Sequence, residues 1–285
     1  DPELTLVADP ARDGLIVGRM DHHRPLLFVN AVSYRGLLDA ASLADRVERP
    51  ADAKRWRTKA AELQEAWVKA FKPPESDNER TYISSLWQTW IAASHQDALL
   101  QGLEKRWTKL RDDQGHFRKT PLWTYFDIAE AHQWLFLGKP ERVWATLQWF
   151  WKHQASPGLY TWWEGHGEEN SSGRWEQVRG WVNPPHVTPH YWTAAEMLLL
   201  QLDMLAYIDQ SASEPTLVIG AGIPVAWLNQ PMTVKGLSLP SGQLDWSWDG
   251  KQMNVQIRGS KLNIRLGSVF APNTPVNVLL LKNRN

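Results

Sequence analysis

Apolar residues recur at intervals of three and four from Asn30 to Gln210 and alternate beyond Pro215, so the chain carries two incompatible periods. A 3.6-residue period places a stripe on a helix, whereas a two-residue period places a face on a strand. The chain is therefore expected to be mainly α with a C-terminal β domain. The helical domain covers 1–210, the β domain covers 215–285, and the boundary falls at Ser211 to Glu214.

Seven helices are expected in the first region, over about 30–46, 51–71, 81–94, 97–111, 122–137, 140–154 and 188–209. Pro73-Pro74 and Gly138 act as stops, Pro140 opens the sixth helix, and Thr188-Pro189 caps the seventh. The connections alternate between tight and long. In an up-down helical array every second loop lies on the same face, so the long segments 9–29, 72–80, 112–121 and 155–187 share one. Long loops of this kind usually carry function. Beyond Pro215, Leu244, Trp246 and Trp248 alternate with polar residues and Asp249-Gly250 is a hairpin turn, which predicts a small antiparallel sandwich. Gly220-Ala221-Gly222 lacks the spacing of a dinucleotide site and reads as a turn.

Composition narrows the chemistry. Thirty-one basic residues balance 31 acidic ones, which removes the long-range field of a nucleic-acid binder. No cysteine is present, so disulfides, thiolate metal sites and thiol nucleophiles are excluded. No apolar run approaches the roughly 18 residues of a membrane span, and the sequence from Asp1 lacks the pattern of a signal peptide. A bacterial periplasmic, secreted or cytoplasmic location all fit, and no cofactor is indicated. The unusual quantity is 18 tryptophans, because each buried indole needs a partner for its N–H.

The longest loop mixes tryptophan, glycine and carboxylates. Trp162-Trp163-Glu164-Gly165 sets a carboxylate beside two indoles, with Glu168, Glu169 and Glu176 as competitors. Glycosidic chemistry needs two carboxyl groups across a groove and flat apolar surfaces for sugar rings. Trp123, Arg118 and Trp181 are further candidates to line such a groove, and His186 and His190 are candidate hydrogen-bond donors to sugar hydroxyls. His22-His23 and the His186/His190 pair lack a third ligand, so no metal is expected. Trp134, Trp144, Trp149 and Trp151 stand at helical spacing and read as core residues.

The segment from Phe28 to Ala44, the Trp56 to Phe71 helix, the Thr161-Trp162-Trp163-Glu164 loop and the strand starting at Leu217 together resemble six-hairpin toroid glycoside hydrolases. This alpha/alpha barrel group includes glucoamylases and alpha-L-rhamnosidases. The resemblance implies an inverting hydrolase acting on an oligo- or polysaccharide, without a cofactor. Such a toroid has twelve helices, so seven imply the second half of a barrel followed by its sandwich. Counting back from the last helix, the resemblance assigns the general base to Glu164 and directs the search for the acid to 9–29, where Asp21 is chosen over Asp13. A half-barrel would leave the apolar sides of its first and last helices open, which implies self-association or an N-terminal partner.

Two other readings use the same region. A polysaccharide lyase would employ Arg179, Asn183, His186 and Tyr191, but the four glutamates of the long loop oppose the positive groove that a uronate needs. A non-catalytic glycan-binding fragment follows if the acid lies elsewhere.

Overall fold

The computed structural model describes residues 9–12, 14–17, 27–71, 82–121, 123–165, 187–212, 214–240 and 242–281. A short hairpin, β1 (Asp9–Arg12) and β2 (Leu15–Val17), precedes α1 (Leu27–Arg46) and α2 (Pro50–Ala70). Then follow α3 (Gln96–Leu110), α4 (Thr124–Phe136), α5 (Pro140–Lys152) and α6 (Tyr191–Leu205). The β region contains β3 (Ala206–Asp209), β4 (Thr216–Ile219), β5 (Met232–Leu239), β6 (Gly242–Trp248), β7 (Met253–Gly259), β8 (Asn263–Leu266) and β9 (Val276–Leu281). The chain is thus helical with a C-terminal β region. Among the described residues no helix is long and apolar enough to cross a membrane.

Six helices are present among the described residues where seven were expected, and the difference is the segment around 81–94. Residues 82–92 form a run of turns, followed by a short 3-10 helix at Ala93–His95. Gln133, buried on α4, explains the departure. Its carbonyl accepts the backbone N–H groups of Leu86 and Trp87 at 2.8 and 3.2 Å, and its amide donates to Ile83 O at 3.0 Å. These backbone groups are satisfied from outside, so a helical ladder is not required. Gln88 and Trp90 take left-handed φ values of 69° and 60°, which a helix cannot contain. Tyr82, Leu86 and Ile91 are nevertheless fully buried, so the apolar spacing read as a helix face is the spacing of a folded core segment.

The last helix is also shorter than its apolar pattern. It begins at Tyr191 rather than at Thr188-Pro189, which lies in the incoming segment and contains a cis peptide bond. It ends at Leu205, because Ala206–Asp209 leaves the helix to pair with β4 in antiparallel register, Tyr207 opposite Val218. The sheet therefore starts before residue 211.

α4 is buried on nearly every side, and it packs against α5 and α6. The tryptophans bind the layers together. The indole N–H groups of Trp67, Trp144, Trp162 and Trp163 donate to the carbonyls of Leu27, Gly222, Phe150 and Pro121, at 3.0, 2.7, 2.9 and 3.1 Å. Trp107 is held between the guanidinium groups of Arg111 and Arg142, 4.4 and 4.3 Å from its ring centre. Arg111, whose pKa burial lowers to about 10, also bonds Gly115 O and Thr146 Oγ1, both at 3.0 Å. It anchors the turn between α3 and α4. Trp134 and Trp149 are core residues, and Trp144 and Trp151 pack half-buried against that core.

The β region has two sheets, ordered β3-β4-β8 and β5-β6-β7-β9. They are not wholly antiparallel, since β4 pairs with β8 and β7 pairs with β9 in parallel. Parallel neighbours cannot be joined by a tight turn, which is why alternation and hairpin signals alone suggested an antiparallel sheet. Asp249-Gly250 is the expected turn between β6 and β7; Asp249 Oδ1 accepts the N–H groups of Lys251 and Gln252 at 2.9 Å. Strand β4 divides its side chains between two cores. Leu217 and Ile219 pack with Trp246, Trp248, Val255 and Ile257, while Val218 joins Tyr207, Met204 and the helical core. The order of layers is helices, three-stranded sheet, four-stranded sheet.

Candidate functional site

The loop carrying Glu164 is held on both sides. After α5 the chain folds back at 155–161, with Ala155 N–H bonding Thr161 O at 2.8 Å. Residues 162–165 then run extended between two neighbours. On one side Trp123 bridges Gly165 in antiparallel fashion. On the other, Glu164 N–H donates to Val187 O at 3.2 Å and His190 N–H donates to Trp162 O at 2.9 Å. Trp123 immediately precedes α4, and His190 is the cap residue of α6. The first turns of both helices therefore meet the Trp-Trp-Glu segment, as expected if the long loops share a face.

The two indoles of that segment are buried. Trp162 and Trp163 are 2% and 5% exposed, and both N–H groups are tied to backbone carbonyls. Trp162 presents an edge to a cavity of about 540 Å³ that Tyr160, Met197 and Leu198 also line. Trp163 supports the loop from beneath through its carbonyl, which accepts the Thr124 hydroxyl. The open aromatic surface lies next to them and was missed at the level of sequence. Trp192, about half exposed, stacks on Tyr125. His190 lies 5.1 Å from Tyr125, centre to centre, and Trp123 lies 6.1 Å from it. Tyr125 and Trp192 each occupy the second residue of a helix that starts on the long-loop face. That position was the available signal.

Glu164 is half-buried beside this ledge, close enough for its charge to act on His190. Burial lowers the pKa of the His190 imidazole, and the Glu164 carboxylate opposes that shift without reversing it. The His190 ring is therefore neutral at neutral pH. Its Nδ1 contacts Thr193 Oγ1 at 2.8 Å, and Thr193 Oγ1 contacts Thr124 Oγ1 at 2.6 Å.

The remaining candidates are distributed as follows. Trp123 joins the cluster, as described. Arg118 is exposed after the α3–α4 turn, where its backbone N–H bonds Leu110 O at 2.9 Å, and among the described residues no contact ties its side chain to Glu164. Tyr191 is exposed on the first turn of α6. Asp21, His186 and Trp181 lie outside the described residues, as do Asp13, Glu168, Glu169, Glu176, Arg179 and Asn183. Among the described residues no group of three His, Asp or Glu side chains is placed to hold a metal ion.

A second polar cluster lies deeper between α4 and α6. His132, fully buried, stacks on Trp87 with ring centres 3.9 Å apart. Its Nε2 faces Asp203 at 3.4 Å and its Nδ1 faces Glu196 at 3.9 Å, both outside good hydrogen-bond geometry. Burial pushes the Glu196 carboxyl up to about 8; the Trp192 indole opposes this and the Asp203 charge adds to it. Glu196 thus connects the buried cluster to the open ledge.

No protein-family model matches the chain, and a search of curated proteins finds no match. Among solved structures, a GH78 family rhamnosidase of Bacillus sp. GL1 matches with a TM-score of 0.58 at 13% sequence identity. The match covers 96% of this chain and 30% of the rhamnosidase. The shared property is the fold, a helical region followed by β-sheets, in a chain that spans less than a third of that protein.

Proposed function

We propose that this chain forms part of a glycoside hydrolase acting on an oligo- or polysaccharide, with Glu164 as the general base. The observation that carries the reading is Glu164 beside an aromatic ledge in which the open Trp192 is backed by the buried Tyr125 and flanked by Trp123, on a loop gripped by the first turns of α4 and α6. A carboxylate supplies a base for water, and a flat indole face suits the apolar face of a sugar ring. The fold shared with a rhamnosidase supports the same class of substrate. Asp21 is the proposed acid, and with it the reaction proceeds by inversion: Glu164 deprotonates water as Asp21 protonates the leaving oxygen.

The proposed substrate-binding surface is Trp192 with the earlier candidates Trp123, His190, His186, Trp181 and Arg118, whereas Trp162 and Trp163, buried with both indole N–H groups bonded, support the loop from within, as Tyr125 supports Trp192. The proposed partner is either a second copy or an N-terminal half-barrel. Leu198, Leu199 and Leu202 on α6 are exposed in a row, as expected of a helix that lacks a neighbour.

The deciding experiment is turnover of a panel of aryl glycosides, beginning with the alpha-L-rhamnoside. The wild type should cleave at least one, and Glu164→Gln should lower the rate by about 10²–10⁴-fold while sparing binding. The 30% coverage of the rhamnosidase favours a second reading, a glycan-binding fragment. Wild-type protein that binds saccharide and cleaves none would establish it.

A further inference from the structure

The three hydroxyl and imidazole contacts beneath Glu164 have only one proton arrangement. Thr124 Oγ1 bonds the carbonyl of Trp163, and a carbonyl only accepts, so the Thr124 proton is committed there. The Thr124–Thr193 contact at 2.6 Å must then be donated by the Thr193 hydroxyl. That uses the Thr193 proton, so the 2.8 Å contact to His190 must be donated by imidazole Nδ1–H. The relay runs from His190 to Thr193, to Thr124 and to Trp163 O. Thr124, Thr193 and the Trp163 indole are buried, so water does not compete for these positions.

We propose that Thr124 and Thr193 fix His190 in its Nδ1–H tautomer, so that Nε2 offers a lone pair and accepts a hydrogen bond from a hydroxyl of the ligand. Among the described residues no protein group bonds Nε2, and it is not among the enclosed polar atoms without partners. The expectation that His190 donates to a sugar hydroxyl is thereby reversed. The groups around the ring are the Tyr125 and Trp192 rings and the Thr193 hydroxyl, and the Glu164 charge acts on it. None of them is a cation. A lone-pair acceptor within the field of the Glu164 carboxylate favours a neutral polyhydroxylated ligand, which brings protons, and disfavours a uronate, which brings a further negative charge. His190 acts here as a positioning residue that holds a ring hydroxyl of the ligand. The identity of the ligand rests on the glycoside hydrolase reading, while the tautomer does not.

The test is a long-range proton–nitrogen correlation spectrum of the histidine rings in ¹⁵N-labelled protein at neutral pH. His190 should show a protonated Nδ1 and a bare Nε2, and a protonated Nε2 in the wild type would overturn the proposal. Thr193→Ser should keep this pattern, whereas Thr193→Val should shift it toward Nε2–H and weaken saccharide binding about fivefold, the worth of one neutral hydrogen bond. Retention of the wild-type pattern in folded Thr193→Val also overturns it. If that variant does not fold, the wild-type and Thr193→Ser spectra decide. In the ligand arm, L-rhamnose, D-glucose and D-galactose are titrated against D-glucuronate and D-galacturonate. The Nε2 signal should move with at least one neutral sugar and with neither uronate; any other result removes the ligand assignment. The spectrum does not depend on turnover, so an inactive chain with the expected tautomer defeats the hydrolase reading and leaves the relay standing.

Discussion

Trp192 lies nearly flat against Tyr125, their ring centroids 4.5 Å apart and their planes 23° from parallel. Tyr125 is buried and fixed on α4, so it holds the open indole in one orientation. Trp192→Ala removes the exposed half of the ledge while leaving the Tyr125 core contacts in place. Saccharide affinity should fall about 5- to 10-fold, the worth of one aromatic stack, with little loss of stability. Titration calorimetry and a urea melt measure the two effects; unchanged affinity would remove Trp192 from the binding surface.

The Arg106–Glu130 pair, 2.6 Å apart, joins α3 to α4 with both side chains largely buried. A buried pair contributes little relative to an apolar one, but removing one member leaves the other charge in a poor solvent. Arg106 has a further contact, so Glu130→Ala should cost about 1–3 kcal/mol, read from the urea midpoint. A cost below about 1 kcal/mol, typical of surface pairs, would show that water reaches Arg106.

Stability should depend on pH through the two groups that face each other between α4 and α6. Glu196, pushed up to about 8 from a usual 4.5, is protonated in the fold. The folded state binds the extra proton, so its stabilising contribution is complete below pH 4.5 and is lost as pH rises toward 8. His132 has the opposite sign. Its pKa lies below the usual 6.5 because burial disfavours the cation, so stability is lost as pH falls below that value. Glu196→Gln keeps a neutral side chain and should flatten only the alkaline limb. Urea midpoints at about pH 5 and pH 9 should show the variant gaining on the wild type at the higher pH. Parallel profiles would mean that Glu196 is ionised in the fold.

Gly222 is where α6, α5 and the turn after β4 meet. Its N–H bonds Met204 O at 2.9 Å and its carbonyl accepts the Trp144 indole at 2.7 Å. A Cβ there would lie 2.3 Å from the Met204 Cβ and 2.9 Å from its Cα, so backbone must move. Gly222→Ala should cost about 1–3 kcal/mol. Trp144→Phe, which only deletes a donor, should cost about 1 kcal/mol. Thermal melts of the two variants rank them directly.

The helices with a strong amphipathic pattern and a Pro or Gly boundary were legible in the sequence to within a few residues. Pro50 and Pro140 open α2 and α5, and the Asp249-Gly250 turn lies where it was expected. Residues 82–92 were not legible, because one buried side chain from α4, Gln133, replaces their local hydrogen bonds. No local pattern reports a partner about fifty positions away. Parallel pairing of β8 and β9 was hidden for a similar reason, since no turn chemistry marks it. At the candidate site, Glu164 drew attention because a carboxylate between tryptophans and glycines is unusual, whereas Tyr125 and Trp192 resembled ordinary helix aromatics. Thr124 and Thr193 carried no signal, because their roles arise only when two helix starts, 69 residues apart in sequence, come together.

Strand β4 serves as a party wall, with Val218 facing the helices and Leu217 and Ile219 facing the outer sheet. Heat or denaturant therefore finds no seam along which to separate the two halves. Loosening the wall uncovers apolar surface in both directions, so the helical and β regions should melt in a single transition, and damage to the outer sheet should reach α6 through Val218 and Met204.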